Sequence, residues 1–420
     1  MSAQESVTTL TEMDPWLGPY AGAIEHRNWL TYERSKLVTQ GKISLAEFAS
    51  GHEYFGLHKT REGWILRERA PNATRITVIG DFNKWAIDRT YDLQRRDHGT
   101  WELKLPEAAF SHGQHYKLLV FWNENGREVS AERIPSFCRR VVQDPDSKLF
   151  SAQVWEPPQP YAWKHPNFRV PKRAPIIYEA HVGMAQETAG VGSYREFTQN
   201  VLPRIHKGGY NTIQLMAVQE HPYYGSFGYQ VSNFYAPSSR FGTPEDLKEL
   251  IDTAHSLGIA VIMDLVHSHA VKNELEGLSK LDGSYTLYFH EGQRGEHPAW
   301  NTRLFDYAMA YLGLANEVIH EVRPDAITIA EEVSGMPGLA APRENGGVGF
   351  NYRLAMGVPD YWIKLLKHTS DEHWNVAEIW RELSSRRVDE RTIGYAESHD
   401  QALVGDKTII FWLADQEMYW

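Results

Sequence analysis

From residue 173 onward the sequence alternates short apolar runs with amphipathic helical stretches, and that alternation limits the fold more than any other feature. PIIYEAHVG reads as a strand, YREFTQNVLPRIHKGG as a helix stopped by Gly208 and Gly209, and TIQLM as the next strand. A second helix opens with Thr243 as N-cap and Pro244 in its first position. It carries Leu247, Leu250, Ile251 and Ala254 on one face and stops at Gly258, just before the strand of IAVIMDLVHSHA. Apolar strands alternating with helices predict a parallel sheet covered by helices, either a (β/α) barrel or a doubly wound sheet. Strand ends rich in His, Asp and Glu favour the barrel, where chemistry sits at the C-terminal rim.

The spacing then breaks. Strand starts near Ile176, Thr212 and Ala260 are 36 and 48 residues apart, but the next such run, AITIAEE, begins near Ile327, 67 residues further on. The interval holds a polar loop and a helix with Met309, Leu312, Ala315 and Ile319 on one face, but no buried strand. YTLYF (285–289) lies between Asp-Gly and His-Glu-Gly and reads as loop. A barrel helix packs on the strand before it. Where RLFDY meets AMAYLGLAN, between Tyr307 and Ala308, that strand is missing.

The region before the alternation has a different period. Residues 54–155 contain GWILRERAP, RITVIGDF, TWELKLPE and HYKLLVFW, with N-E-N-G at 123–126 as a hairpin signal, and predict a small β-sandwich. WLTYERSKLVTQ and SLAEFASG read as short helices of an N-terminal appendage, and the Pro-rich WEPPQPYAWKHP (155–166) reads as a linker. The expected division is a helical segment over 1–53, a β-sandwich over 54–160 and the barrel over 161–420.

Charge and cysteine usage narrow the partners. A formal net charge of -11 argues against nucleic acid and against an anionic membrane surface. The single cysteine, Cys138, leaves no internal disulfide or Cys-based metal site and suits a reducing compartment. MSAQESVTTLTEMDP has no basic and apolar leader pattern, and no later run reaches the length of a spanning helix, so a cytoplasmic chain is expected. The 14 Trp and 21 Tyr supply flat rings that can stack on pyranose faces, although large cores use the same residues.

Three predicted strand ends concentrate reactive side chains: DLVHSH with Asp264, His267 and His269, ITIAEEVSGMP with Glu331 and Glu332, and IGYAESHD with Glu397, His399 and Asp400. Any one of them could be a salt-bridged rim. Three together suit glycoside chemistry, which needs a carboxylic acid to protonate the leaving oxygen, a carboxylate nucleophile and further groups to hold the sugar.

DLVHSH, AEEVSGMP, YAESHDQALVGDK and SFGYQVSNFYAPSSRFGTPEDL resemble motifs of the 1,4-α-glucan (glycogen and starch) branching enzymes of the α-amylase superfamily. GDFNKW (80–85) resembles that family's immunoglobulin-like carbohydrate-binding module, and PRIHKGGYNTIQLMAVQEHPYYGSFGYQ the start of its barrel. The resemblance implies a (β/α)8-type barrel, incomplete here, after a β-sandwich module. It also implies retaining transfer of an α-1,4-glucan segment to a 6-hydroxyl, with no metal or organic cofactor.

Carried over by position, Glu331 matches the general acid/base and Asp400 the carboxylate that stabilises the transition state. His399 and His269 match the imidazoles that bind the sugar, Asp264 the acidic residue of the third strand, and Tyr229 the aromatic that stacks on that sugar. Trp85 is expected to stack on a glucan ring or to pack, and Glu332, where the family has Asp, to be a rim charge.

In the family a strand ending in a Phe-Arg-Phe-Asp type motif supplies the nucleophile, and it stands where Tyr307 here joins Ala308. Asp306 lies on the loop before that gap and does not replace it. The chain also stops at ADQEMYW, ahead of the family's eighth strand and C-terminal β-domain. An inactive branching enzyme is therefore expected. Two other readings are a non-catalytic glucan-binding protein and a metal-dependent barrel hydrolase built on Asp264, His267 and His269.

Overall fold

The computed structural model describes residues 10–296, 308–405 and 407–419. The chain forms two compact units, one of Met1–Ala49 with Tyr307–Trp420 and one of Ser50–Asp306. Helix α1 (Ala21–Thr39) belongs to the first, and buries Ile24, Asn28 and Thr31 at helical spacing.

The Ser50–Asp306 unit begins with the β-sandwich. Its strands are β1 (Gly56–Thr60), β2 (Gly63–Arg69), β3 (Arg75–Gly80), β4 (Gln94–Arg95), β5 (Thr100–Leu105), β6 (His115–Glu124), β7 (Arg127–Arg133), β8 (Val141–Gln143) and β9 (Phe150–Gln153). One sheet runs β1-β2-β5-β4; the other runs β3-β6-β9-β8 with β7 on β6. Alternating side chains such as Trp64 and Leu66, Ile76 and Val78, Leu118 and Val120 meet in one core. The β6–β7 hairpin turns at Asn125 and Gly126, both with positive φ (52° and 80°), as a two-residue turn of this hand demands.

The stretch expected to be a linker is instead fastened to this unit. Trp155 Nε1 donates to Glu245 at 2.7 Å, and the buried Asp252 accepts from the Tyr161 hydroxyl (2.9 Å) and from the Lys164 and His165 N–H groups (2.7 and 2.8 Å). Burial raises the proton affinity of the Asp252 carboxyl, but those donors outweigh it and hold the group down to about 2. Pro content suggested a spacer; the carboxylates that pin it lie some ninety residues away, outside any local pattern.

The same unit continues into the first parallel sheet, β10 (Ile177–Ala180), β11 (Thr212–Leu215) and, after a short antiparallel excursion of β12 (Gln219–Glu220) and β13 (Asn233–Pro237), β14 (Ala260–Met263). The register pairs Ile177 with Thr212 and Thr212 with Ala260. Helix α2 runs Tyr194–Glu196, widens to a π turn over Phe197–Val201 and continues over Leu202–Lys207; Pro203, which has no N–H, lies just beyond the widened turn. Helix α3 (Pro244–Ser256) starts on the predicted Thr243 cap. Ile213, Leu215, Leu202, Ile205, Leu250 and Ala254 pack between sheet and helices. Residues 285–289 are loop, as their flanks predict.

The other unit holds α4 (Ala308–Val322) and a second parallel sheet of β15 (Ile329–Ala330), β16 (Tyr352–Leu354) and β17 (Thr392–Ile393), in that order. Met309 and Leu312 of α4 pack with Ala330, Leu339 and Val348. Its Gly313 lies against α1, where a β-carbon would stand 3.1 Å from Thr31 Cγ2. Arg27 of α1 donates to the carbonyls of Pro337 and Gly346 (3.1 and 3.0 Å), and Asn28 to that of Gly346 (3.1 Å). The N-terminal helix is thus an integral part of this unit rather than an appendage. Tyr307 and Asp306 lie outside the described residues. Among the described residues, no strand stands between β14 and β15.

Candidate active site

The predicted site residues fall on both units. In Ser50–Asp306, Asp264 directly follows β14, and its Oδ2 accepts a hydrogen bond from the Tyr229 hydroxyl at 2.9 Å. The Tyr229 loop can approach the segment after β11 this closely because Gly228 has φ 92°, and a β-carbon there would stand 1.9 Å from the Ala217 carbonyl oxygen. The ring then packs with Ala217, Val231 and Val266. DLVHSH is irregular after Met263: Val266 and Ala270 turn inward, His267 is half-buried and His269 is exposed. Burial lowers the proton affinity of His267.

Sequence reasoning missed two imidazoles behind this loop. His181, next after β10, and His221, next after β12, are buried. The His181 ring stands edge-on to Tyr224, Phe227 and Phe241 at 5.7, 5.8 and 5.4 Å. Burial, helped by His221, pushes His181 down to about 4, so it is neutral near pH 7. YEAHVG placed His181 at a predicted strand end and QEHPYYG placed His221 beyond the TIQLM strand, but nothing local distinguished an inward from a rim imidazole.

In the other unit, Glu331 directly follows β15, while His399 and Asp400 lie beyond β17. One ligating atom from each of Glu331, His399 and Asp400 lies within 4.8 Å of the others. His399 Nε2 is 3.5 Å from Asp400 Oδ1, and Glu331 is exposed. Glu332 is engaged by Arg353 of β16 at 2.8 Å, and Arg353 also meets the buried Glu390 at 3.3 Å. Glu397 accepts from the Ile409 N–H at 2.7 Å. Two carboxylates and an imidazole at the end of a parallel sheet can exchange a proton with a sugar oxygen and hold positive charge on a ring. Among the described residues, the His267, His269 and Asp264 set expected for a metal hydrolase is not a group of ligating atoms this close together.

On the sandwich, Lys84 and Trp85 both adopt left-handed backbone, φ 55° and 61°, which costs energy for side chains of this size. The Trp85 N–H donates to the Gly80 carbonyl (2.8 Å), its Nε1 donates to Asp81 (3.0 Å), and the ring remains 39% exposed.

Residues 54–136 match the model of carbohydrate-binding module 48 (isoamylase N-terminal domain), and residues 186–340 match that of the α-amylase catalytic domain. Over 485 aligned residues the chain is 43% identical to the 1,4-alpha-glucan-branching enzyme of Yarrowia lipolytica, covering 97% of this chain and 69% of that protein. The chain belongs to the 1,4-alpha-glucan-branching enzyme family. The branching enzyme of Felis catus is 41% identical, with 98% of this chain and 67% of that protein covered. The Yarrowia alignment spans 485 residues against 420 in this chain, so the branching enzymes carry residues within the shared span that this chain lacks.

Solved structures of the α-amylase type share the fold. Pullulanase from Bacillus acidopullulyticus superposes with TM-score 0.63 at 17% identity, covering 86% of this chain and 54% of that one. A putative α-amylase from Salmonella typhimurium superposes with TM-score 0.60 at 16% identity, covering 83% and 66%. Among the described residues no helix is long and apolar enough to cross a membrane.

Proposed function

We propose that this chain carries the residues of a glucan-branching site without its nucleophile, and that as written it binds α-1,4-glucan but does not branch it. The observation that carries this reading is the strand inventory. Each unit holds one three-stranded parallel sheet, no described strand stands between β14 and β15, and α4, which in a barrel would lean on the strand before it, leans on α1. The excess of aligned residues in the relatives points the same way.

In one unit Glu331 has the role of general acid/base, Asp400 that of transition-state carboxylate and His399 that of a sugar-binding imidazole; in the other, His269, Asp264 and Tyr229 are the residues of the sugar-binding motifs. The missing strand between Tyr307 and Ala308 would supply the carboxylate that forms the covalent glycosyl-enzyme. Residues 54–160, with the exposed Trp85 ring, form the glucan-binding module, and residues 161–420 the incomplete catalytic barrel. The lone buried Cys138 suits the cytoplasm. The test is restoration. Inserting after Tyr307 the corresponding Yarrowia segment, and appending that protein's C-terminal part, should give amylose-branching activity that Glu331→Gln abolishes. A restored chain that stays inactive, or stays active with Glu331→Gln, overturns the assignment.

A further inference from the structure

We propose that a cavity between β8 and the turn before α3, lined by Arg140, Gln143, Ser239 and Arg240, binds a small tetrahedral oxyanion: inorganic phosphate or a phosphate monoester. Its volume is about 300 Å³, and Val142, Phe150 and Glu220 complete the wall. That is room for roughly ten waters, more than a structural gap between close-packed sheets needs.

The charge arrangement selects the ligand. Arg140 is 8% exposed, donates to the Gly242 carbonyl and lies over the Trp155 ring at 5.0 Å; its Nε has no hydrogen-bond partner among the described residues. Arg240 reaches the His221 and Pro222 carbonyls at 3.3 Å each and lies 5.6 Å from the Tyr224 ring centre. The one carboxylate in the wall, Glu220, accepts from neutral donors, Ser239 N–H at 2.8 Å, His221 N–H at 3.1 Å and the Ser238 hydroxyl at 3.2 Å, and acts on Arg140 and Arg240 through space. The carboxylates nearest beyond it are also engaged, Asp246 by Arg195 and Thr243, and Glu245 by Trp155 and Lys248.

Two guanidinium groups therefore share a small polar cavity without a direct carboxylate partner, and a buried cation in that position gains most from an anion that accepts several N–H donors. Planar guanidinium forks and tetrahedral oxyanions match in geometry. Ser239 and Gln143 stand in the same wall; one N–H of the Gln143 amide is spent on the Lys148 carbonyl at 2.9 Å, which leaves its second.

Equilibrium dialysis of the 420-residue chain with radiolabelled inorganic phosphate, at fixed ionic strength in chloride, tests the site. The expected result is saturable binding near one phosphate per chain, at least tenfold weaker in Arg240→Gln and Arg140→Gln, intermediate in Arg240→Lys and unchanged in Arg204→Gln, with circular dichroism confirming that each variant is folded. Displacement by glucose 6-phosphate but not by glucose would identify a monoester as an alternative occupant; failure of glucose 6-phosphate to displace would restrict the site to the free ion. No saturable binding by the unmodified chain, or undiminished binding by folded Arg240→Gln, overturns the proposal.

Discussion

The Tyr229 hydroxyl donates a 2.9 Å hydrogen bond to Asp264 Oδ2, tying a loop side chain to the residue that follows β14, 35 positions on. This bond sets the ring that we propose stacks on the sugar. Tyr229→Phe should cost about 1.5–3 kcal/mol in urea unfolding, the range for a hydrogen bond to a charged group. Tyr229→Ala should cost more, about 3–5 kcal/mol, because the packing against Ala217, Val231 and Val266 goes too. If Tyr229→Phe is neutral, the bond does not hold the loop.

Acid should weaken the Ser50–Asp306 unit through His181. Its folded proton affinity lies below the ordinary imidazole value, at about 4, so between roughly pH 6.5 and 4 the unfolded chain binds the extra proton and stability falls as pH falls. His181→Phe, which keeps an aromatic ring beside Tyr224 and Phe241, should flatten that decline by up to about 3 kcal/mol in urea titrations at a series of pH values. A variant with the same slope as the parent would show that His181 is not buried neutral.

Glucan binding should survive in the chain as written. The exposed Trp85 ring, fixed by its Nε1 bond to Asp81, is a ready stacking face. The chain should be retarded in a native gel cast with glycogen, and Trp85→Ala should remove most of that retardation. Equal retardation of parent and variant would assign Trp85 to packing instead.

Much of this fold was legible because its signals are local. The Thr243 cap and Pro244 mark the start of α3, the Asn125-Gly126 pair closes the β6–β7 hairpin, and the apolar runs at Ile177, Thr212 and Ala260 are paired strands. Non-local features were not legible. The strap over 155–166 depends on Asp252 and Glu245, and the place of α1 depends on carbonyls more than three hundred residues away. β12, β13 and β16 escaped because runs of two to five residues carry little periodicity. For the site, motif resemblance pointed to Glu331, His399 and Asp400, which the structure brings within 4.8 Å, and to Tyr229 with Asp264; His181 lay in a predicted strand and His221 in a quoted motif, but both rings meet Phe241, far along the chain, which no local pattern shows.

The sheet ends should make the chain associate. β10 and β14 terminate their sheet, and Tyr178, Met263 and Leu265 at these strands are exposed. Strand edges of this kind recruit other chains. Size exclusion should show a broad, concentration-dependent distribution; a single sharp monomer peak with one cooperative melt of the whole chain would contradict it.

The central claim is that the residues are those of a branching enzyme and the nucleophile is not there. It is tested most directly by incubating the 420-residue chain with amylose, following the iodine absorbance and counting α-1,6 links after debranching. Loss of a nucleophile removes several orders of magnitude of rate. The predicted result is no fall in absorbance and no new branches. A fall in absorbance with new α-1,6 links, abolished by Glu331→Gln, would contradict the account and require another carboxylate of this chain to act as nucleophile.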